Sequence, residues 1–313
     1  MVEPKTLRLD TDIAEDVWEQ EKALVGWTQH YRQLQPGRFL GRLKEVVAPG
    51  ISVFREDTNL RLHQHTAPPP ETLVVAVPLP GSAPARLDGR PVGENDVLLL
   101  RGGTLSEFLC NGPMSVLALA IDRRRAEELR VTVPDAAEMP ASSFSYARAG
   151  ELRAVLQCVL AASPVLLEQS EVLLPLLDQC VSVVEAGIMQ AVRPPTVGHS
   201  QRQKFVRQFR DHVEAHPDDR LSVAQVAQAI GVTTRMLEYS FADVMGVSPK
   251  DYLKMVRLNA ARRALRVADP RTATVAEIAM DHGFWHLGRF SAYYSEMFGE
   301  KPSDTLRANA SFG

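Results

Sequence analysis

The sequence predicts an α+β protein: an N-terminal cupin-like or jelly-roll β-barrel with flanking helices, followed by an all-α domain. Short apolar runs separated by turn residues fill residues 41–121, which is typical of antiparallel strands. Helical patterns fill the last third instead. Two of its segments, VAQVAQAIG (223–231) and VAEIAMDHG (275–283), repeat each other. A repeated unit of helix, tight turn and second helix is typical of paired helix-turn-helix motifs.

Length and composition exclude several classes of protein. The 313 residues suffice for two domains with cores of their own, and 45% apolar residues is ordinary for a globular protein. No apolar run is long enough to predict a membrane-spanning helix, and residues 1–10 do not resemble a signal peptide. The three cysteines are odd in number and lack metal-ligand spacing. We therefore expect reduced thiols, a cytoplasmic location and no membrane partner.

The N-terminal part is predicted to begin with a helix over residues 10–35, where Trp18, Leu24 and Trp27 alternate with charged side chains. Strands are expected around residues 46–47, 51–54, 73–77, 97–100 and 116–121. Two helices should follow, over about 146–161 and 164–191. The apolar stripe of the second helix suits either the domain core or the seam of a dimer, and these alternatives stay open.

A small barrel can enclose one small molecule, so some strand residues are candidates for binding it. These candidates are Arg61, His63, His65, Arg86, Arg90 and Arg101. If the arginines point inward, the ligand is an anionic metabolite or a nucleotide; otherwise they are exposed strand residues. The pair His63 and His65, followed by Glu71, is similar to a cupin metal motif. No histidine between His65 and His199 completes the ligand set, so neither a metal nor another cofactor is expected.

The two domains are predicted to meet at residues 193–200, because Pro194 and Pro195 cannot continue a helix. Residues 1–192 then form a ligand-sensing and dimerising domain, and residues 201–313 form the second domain. From Ser200 onward the chain has 16 basic and 13 acidic residues, a charge of +3, against −6 for the remainder. The repeat therefore lies in the basic part, which suits a nucleic-acid partner.

Each copy of the repeat begins with the pattern of a capping box, Ser222 with Gln225 and Thr274 with Glu277. Gly231 falls where the first helix should turn into the second, as its counterpart does in the other copy. Recognition helices are expected over about 234–244 and 286–298. A linker helix over 249–267, about 27 Å long, is of the order needed to place them in successive major grooves about 34 Å apart.

The last third resembles the DNA-binding domain of the AraC/XylS family. The matching residues are Ile230-Gly231, Leu237, Phe241, Gly246-Val247-Ser248-Pro249, Tyr252-Leu253, Arg257-Leu258, Ala260, Ala264-Leu265, Ile278-Ala279, Gly283-Phe284, Phe290, Phe298-Gly299 and Lys301-Pro302. The resemblance implies two helix-turn-helix units on one rigid helix, in a transcription regulator that is commonly an activator. Residues Trp27, Tyr31, Pro36-Gly37, Phe39 and Gly41-Arg42-Leu43 are similar to the sensor domains of ethanolamine-operon regulators.

Exposed positions near the starts of the recognition helices should contact DNA. The candidates are Thr233, Thr234, Arg235, Glu238 and Tyr239 in the first unit, His286, Arg289 and Ser291 in the second, and Arg257 on the linker helix. Arg235 could pair with guanine and Glu238 with cytosine, while Tyr239 suits a phosphate. The resemblance implies a contact of Arg257 with the DNA backbone. The family often has Arg where this chain has Ala292, so the second unit is expected to depend more on phosphate contacts.

These features predict a ligand-responsive, sequence-specific DNA-binding transcription regulator, not an enzyme. Its expected partners are operator DNA, a small-molecule effector, a second copy of the chain and, for an activator, RNA polymerase. Two alternatives remain. One is a cupin-type metal enzyme with an accessory DNA-binding module. The other is a dimeric repressor that needs no ligand.

Overall fold

The computed structural model describes residues 8–128, 142–161, 182–183, 201–216 and 221–308. The chain divides into two compact units. The first contains Met1–Tyr31 and Phe39–Thr196, and the second contains Arg32–Arg38 and Val197–Gly313. The predicted linker over 193–200 lies outside the described residues, as does all but residues 182–183 of the helix predicted over 164–191.

The first unit contains two antiparallel sheets, which confirms the α+β class, although neither sheet closes into a barrel. Its strands are β1 Arg8–Ala14, β2 Thr28–Gln33, β3 Gly41–Ala48, β4 Ile51–Thr58, β5 Leu62–Ala67, β6 Thr72–Pro78, β7 Ala85–Leu87, β8 Arg90–Val92, β9 Asp96–Arg101, β10 Ser106–Cys110, β11 Met114–Asp122 and β12 Ser142–Ser145. The larger sheet has the order β1-β3-β4-β11-β6-β9-β12, and the smaller has the order β2-β5-β10-β7-β8.

Residues 10–35 do not form the single helix that their sequence predicts. They form most of β1, the one-turn helix α1 (Val17–Gln20) and β2. β1 pairs along its whole length with β3, from Arg8 opposite Val47 to Ala14 opposite Gly41. Along β2 burial largely alternates, as expected for a strand with one covered face. Pairing with distant strands therefore overrides the local helical pattern.

The core of the first unit has two layers. One lies between the sheets and includes Leu43, Phe54 and Val74 from the larger sheet with Leu62 and Phe108 from the smaller. The other covers the opposite face of the larger sheet, where helix α3 (Ala149–Ala161) buries Leu152 and Leu156. A short helix, α2 (Arg123–Glu128), follows β11. With both faces covered, β6 is almost entirely apolar, which explains why sequence alone identified it.

The second unit is helical. Its helices are α4 Gln201–Ala215, α5 Val223–Ala229, α6 Thr234–Val244, α7 Pro249–Val267, α8 Val275–Asp281, α9 Leu287–Phe298 and α10 Pro302–Ala308. The expected bounds of both recognition helices and of the linker helix are confirmed to within a residue. Phe241 packs edge-on against Phe209 at 4.8 Å between ring centroids and lies 5.5 Å from Tyr252. Its counterpart Tyr294 is likewise fully buried.

A short segment from early in the chain, residues 32–38, belongs to the second unit. Gln33 forms two hydrogen bonds with Asn259 of α7. The Gln33 backbone amide donates to Asn259 Oδ1, and the Asn259 side-chain nitrogen donates to the Gln33 carbonyl, each at 3.0 Å. The Gln33 side-chain amide also donates to the carbonyl of Met297 in α9 at 2.6 Å, and Arg32 forms an ion pair with Glu214. Nothing in the local sequence marks this segment as part of the helical unit.

Candidate nucleic-acid interface

Both helix-turn-helix units begin with a complete capping box, as the sequence predicted. In the first, the Gln225 amide donates to the Ser222 hydroxyl at 3.3 Å, and the Ser222 amide donates to the Gln225 side chain at 2.8 Å. In the second, the Thr274 and Glu277 pair makes the same two bonds at 3.2 and 3.0 Å. Each box satisfies amides that the helix start would otherwise leave unpaired.

The turns between the helices also match. Gly231 has φ of +71° and Gly283 has φ of +82°, a left-handed conformation that favours glycine. The next residue then donates back into the first helix at 2.9 Å, from the Val232 amide to Ala227 and from the Phe284 amide to Ala279. The first helix and the turn of the two units therefore have matching local hydrogen bonds.

Helix α6 separates a buried face from an exposed one. Leu237 and Phe241 are fully buried, whereas the predicted contact residues are exposed: Thr233, Thr234, Arg235, Glu238 and Tyr239. Thr233 caps the helix by accepting from the Met236 amide at 3.2 Å. The Arg235 guanidinium donates to the Tyr239 hydroxyl at 3.3 Å and lies 5.7 Å from the ring centroid. The helix thus presents one cation, one carboxylate and one phenol on a single surface.

Helix α9 exposes fewer of the predicted contact residues than α6 does. Its cap residue His286 makes no side-chain capping hydrogen bond. His286, Arg289 and Ala292 are exposed, while Ser291 is half-buried. Just before the helix, Trp285 is 60% exposed, a feature that the sequence reasoning did not single out. A large aromatic side chain at the start of a recognition helix stands out only once burial is known.

The linker helix α7 begins at Pro249, with Ser248 as its cap. Arg257, a predicted backbone contact, is half-buried and donates to the carbonyl of Leu221 at 2.5 Å. Burial lowers the pKa of its guanidinium. Arg262 is buried, forms an ion pair with Glu300 at 2.9 Å and lies 4.5 Å from the Phe298 ring centroid. Arg262 therefore stabilises the packing of the second unit.

The first unit contains a cavity between its two sheets, which we call the inter-sheet cavity. Its lining residues are Leu24, Trp27, Gln29, Phe54, Glu56, Gln64, Thr66, Val74, Ala76, Leu87, Leu98, Leu100, Phe108, Val116 and Ala118. None of the six ligand candidates lines it. Side chains alternate along β5, so Gln64 and Thr66 face the cavity while His63 and His65 lie on the other face.

The six ligand candidates have other surroundings. His63 is buried, with Nε2 3.1 Å from a Glu107 carboxylate oxygen and its ring centroid 4.7 Å from that of His65. Arg86 donates to the Gly89 carbonyl at 3.0 Å, and Arg101 donates to the Thr104 hydroxyl at 2.9 Å. Arg61, Arg90, Arg86 and Arg101 are all half-buried. In the described part of the chain, no group of three or more His, Cys, Asp or Glu side chains is placed to hold a metal ion.

None of the described helices is both long and apolar enough to cross a membrane.

Comparison with known proteins finds a family match within the second unit. Residues 226–308 match the family model described as a helix-turn-helix domain. Over 103 residues the chain is 44% identical to a probable thc operon regulatory protein of Rhodococcus erythropolis, covering 33% of this chain and 31% of that protein. Over 95 residues it is 36% identical to the XylDLEGF operon transcriptional activator of Pseudomonas putida, covering 30% of each. The matches thus span about a third of the length of these relatives.

Among solved structures, a probable AraC family transcriptional regulator from Rhodopseudomonas palustris is 34% identical, with 34% of this chain and 97% of that chain covered and a TM-score of 0.31. The paired, capped units and the matching family model define the second unit as a double helix-turn-helix domain, and the chain is similar over part of its length to the operon regulators named above. The second unit is a domain of the AraC type, as the resemblance in the sequence implied.

Proposed function

We propose that the protein is a ligand-responsive, sequence-specific DNA-binding transcription regulator that acts as an activator. The observation that carries the proposal is the surface of α6, where the side chains of Arg235, Glu238 and Tyr239 are exposed on a helix whose start is capped by Thr233. An exposed arginine at the start of a recognition helix can make two hydrogen bonds to guanine in the major groove. The names of the matched relatives, an operon regulatory protein and a transcriptional activator, support the same function.

The first helix-turn-helix unit is proposed to supply most of the base recognition. Its surface carries both a donor, Arg235, and an acceptor, Glu238, which suit guanine and cytosine respectively. The second unit carries Arg289 and His286 but has Ala292 where a base-reading side chain could stand. We therefore propose that the second unit positions the protein through phosphate contacts, which fix register without reading sequence.

The first unit is proposed to sense a small molecule in the inter-sheet cavity. Ligand binding there would favour the conformation that binds the operator. The ligand must therefore bind this conformation more tightly than the conformation that does not bind the operator. A homodimer, a contact with RNA polymerase and a cytoplasmic location complete the proposal. They rest on the class of regulator to which the matched relatives belong.

Selection from a pool of random double-stranded DNA by the full-length protein tests the function. We expect enrichment of a site in which the segment read by the first unit is strongly specified, while the segment about one helical turn, or 10–10.5 base pairs, away shows little base preference. Arg235→Ala should weaken binding to that site by about 1–3 kcal/mol, or about 5- to 150-fold in Kd, and relax the preference at one base position.

The matched control is Arg148→Ala, which removes an exposed arginine of the first unit that is paired with Glu151 at 2.7 Å. This variant should leave both affinity and preference unchanged. If no sequence is enriched, the protein is not a sequence-specific regulator. If a site is enriched but Arg235→Ala binds it with wild-type affinity and preference, Arg235 does not read bases.

A further inference from the structure

The inter-sheet cavity has an interior chemistry that differs from the anionic site predicted from the arginines. Most of its lining is apolar, with Trp27, Phe54 and Phe108 as its aromatic members. Trp27 and Phe54 pack edge to face with ring centroids 5.7 Å apart. The cavity volume is about 60 Å³. A single water needs roughly 10–15 Å³, so the space suits a small organic molecule.

A chain of hydrogen bonds holds the polar part of the cavity in one orientation. The Gln20 amide donates to Glu56 Oε1 at 2.7 Å, and the Tyr31 hydroxyl donates to the same oxygen at 2.6 Å. The Gln29 side-chain nitrogen then donates to the Tyr31 hydroxyl at 3.1 Å. Because the nitrogen of Gln29 is engaged, its amide oxygen is the group left for another partner.

Two buried polar atoms at the cavity have no hydrogen-bond partner among the described residues, Gln29 Oε1 and Thr66 Oγ1. Their residues are only 8% and 7% exposed, and both line the cavity. Buried polar atoms in folded proteins are nearly always hydrogen-bonded, because an unpaired one is costly. An amide oxygen accepts only, and a hydroxyl both accepts and donates. The pair therefore calls for a ligand that brings a donor.

The charge of the cavity opposes an anion. Among its lining residues, Glu56 is the ionisable one, and none is Arg, Lys or His. Burial raises the pKa of the Glu56 carboxyl, although the hydrogen bonds from Tyr31 and Gln20 act in the opposite direction. A ligand carboxylate would lose its hydration without meeting a cation and would lie near this acid.

We propose that the inter-sheet cavity binds an uncharged, mostly apolar small molecule that carries one hydroxyl or amide N–H group. The ligand O–H or N–H donates to the Gln29 amide oxygen, the Thr66 hydroxyl donates to the hydroxyl or carbonyl oxygen of the same ligand group, and the apolar body contacts the aromatic side chains. The inference names the effector class of the regulator proposed above and so rests on that function. It replaces the anionic metabolite or nucleotide that the arginines suggested.

Four probes that share one ring test the donor requirement: benzyl alcohol, benzamide, toluene and benzoate, each titrated into the full-length protein and followed by calorimetry or ligand-observed NMR. Benzyl alcohol and benzamide should bind, toluene should bind several-fold to about tenfold more weakly, and benzoate more weakly still. Benzoate binding as tightly as benzyl alcohol would overturn the proposal, as would the absence of binding by both donors at millimolar concentration.

A pair of variants locates the binding. Thr66→Val keeps the shape of the side chain and removes the hydroxyl, so the preference for benzyl alcohol over toluene should shrink several-fold. Thr11→Val makes the same chemical change at an exposed position of β1 outside the cavity and should leave that preference unchanged. Equal effects of the two variants, or none from Thr66→Val, would show that the probes bind elsewhere.

The DNA-selection experiment separates this inference from the proposed function. Specific DNA binding together with a preference for benzoate would refute the ligand class and leave the regulator intact. The predicted probe preference without any enriched DNA site would refute the regulator and leave the cavity as a binding site for neutral donors.

Discussion

Replacing Arg257 distinguishes a residue that touches DNA from one that positions the helices that do. The resemblance implies a contact with the DNA backbone, yet Arg257 donates to the Leu221 carbonyl at 2.5 Å, directly before the capping residue of α5. A hydrogen bond from a charged donor is worth about 1.5–3 kcal/mol. Both residues are half-buried, so water can partly replace the bond, and the loss in Arg257→Ala should be about 1–2 kcal/mol.

The assay combines urea unfolding with DNA affinity measured across a range of salt concentrations. We expect Arg257→Ala to lower the free energy of unfolding and to weaken DNA binding without changing the slope of log Kd against log salt. Arg257→Lys should regain part of the stability. The control Arg271→Ala removes an arginine that is 87% exposed and paired with Asp269, and it should leave the free energy of unfolding close to that of the wild type.

The opposite pattern refutes this reasoning. A phosphate contact that is lost reduces the salt slope by about 0.9. If Arg257→Ala unfolds like the wild type and shows that reduced slope, Arg257 contacts DNA directly and the bond to Leu221 contributes nothing measurable.

Three further predictions concern stability, each measured by urea or thermal unfolding of the full chain. Gly231→Ala should destabilise the protein by about 1 kcal/mol through backbone strain alone, since φ is +71° and an added Cβ meets no atom within 4 Å. The control Gly288→Ala, in α9 without positive φ and with equally open space, should stabilise it by roughly 0.5–1 kcal/mol. A change in the free energy of unfolding with the same sign in both variants would show that strain at Gly231 is not the cause. Phe241→Ala should cost about 3–5 kcal/mol because the ring is fully buried between Phe209 and Tyr252, and a loss below about 1 kcal/mol would mean that the cluster does not hold α6. The raised pKa of Glu56 means that this carboxyl binds its proton more tightly in the folded protein than in the unfolded chain. The stabilisation that this proton gives is therefore complete below the pKa of Glu56 in the unfolded chain, and it is lost as the pH rises through the pKa of Glu56 in the folded protein. Glu56→Gln should remove that part of the decline in stability above about pH 4.3, and an unchanged pH dependence would mean that Glu56 titrates normally.

The second unit was largely predictable from sequence because its signals are local. A capping box, a turn glycine and a helix-starting proline each act within about four residues, so the pattern and the structure agree at Ser222, Gly231 and Pro249. The side chains α6 exposes were predictable for the same reason, since helical periodicity separates Arg235 from Leu237.

The first unit was predictable only in part. Apolar runs such as β6 and β11 were found because strands covered on both faces are continuously apolar. Residues 10–35 have a local helical pattern, but β1 pairs with residues of β3 that lie 27 to 39 positions further along the chain, beyond the reach of any local pattern. The charge of a strand residue does not reveal which face of the strand its side chain occupies. Along β5, His65 and the adjacent Thr66 lie on opposite faces, and of these two Thr66 lines the cavity.

By itself, the sequence determined that the chain has two parts, that the second contains paired helix-turn-helix units, and which side chains of α6 face outward. Tertiary structure alone decided three other matters: that Arg262 is a buried ion-pair partner, that residues 32–38 join the helical unit, and that the inter-sheet cavity is apolar with Glu56 in its wall. The physical reason is range. Caps and turns depend on neighbours in sequence, whereas burial, charge environment and cavity lining depend on residues brought together from distant strands and helices.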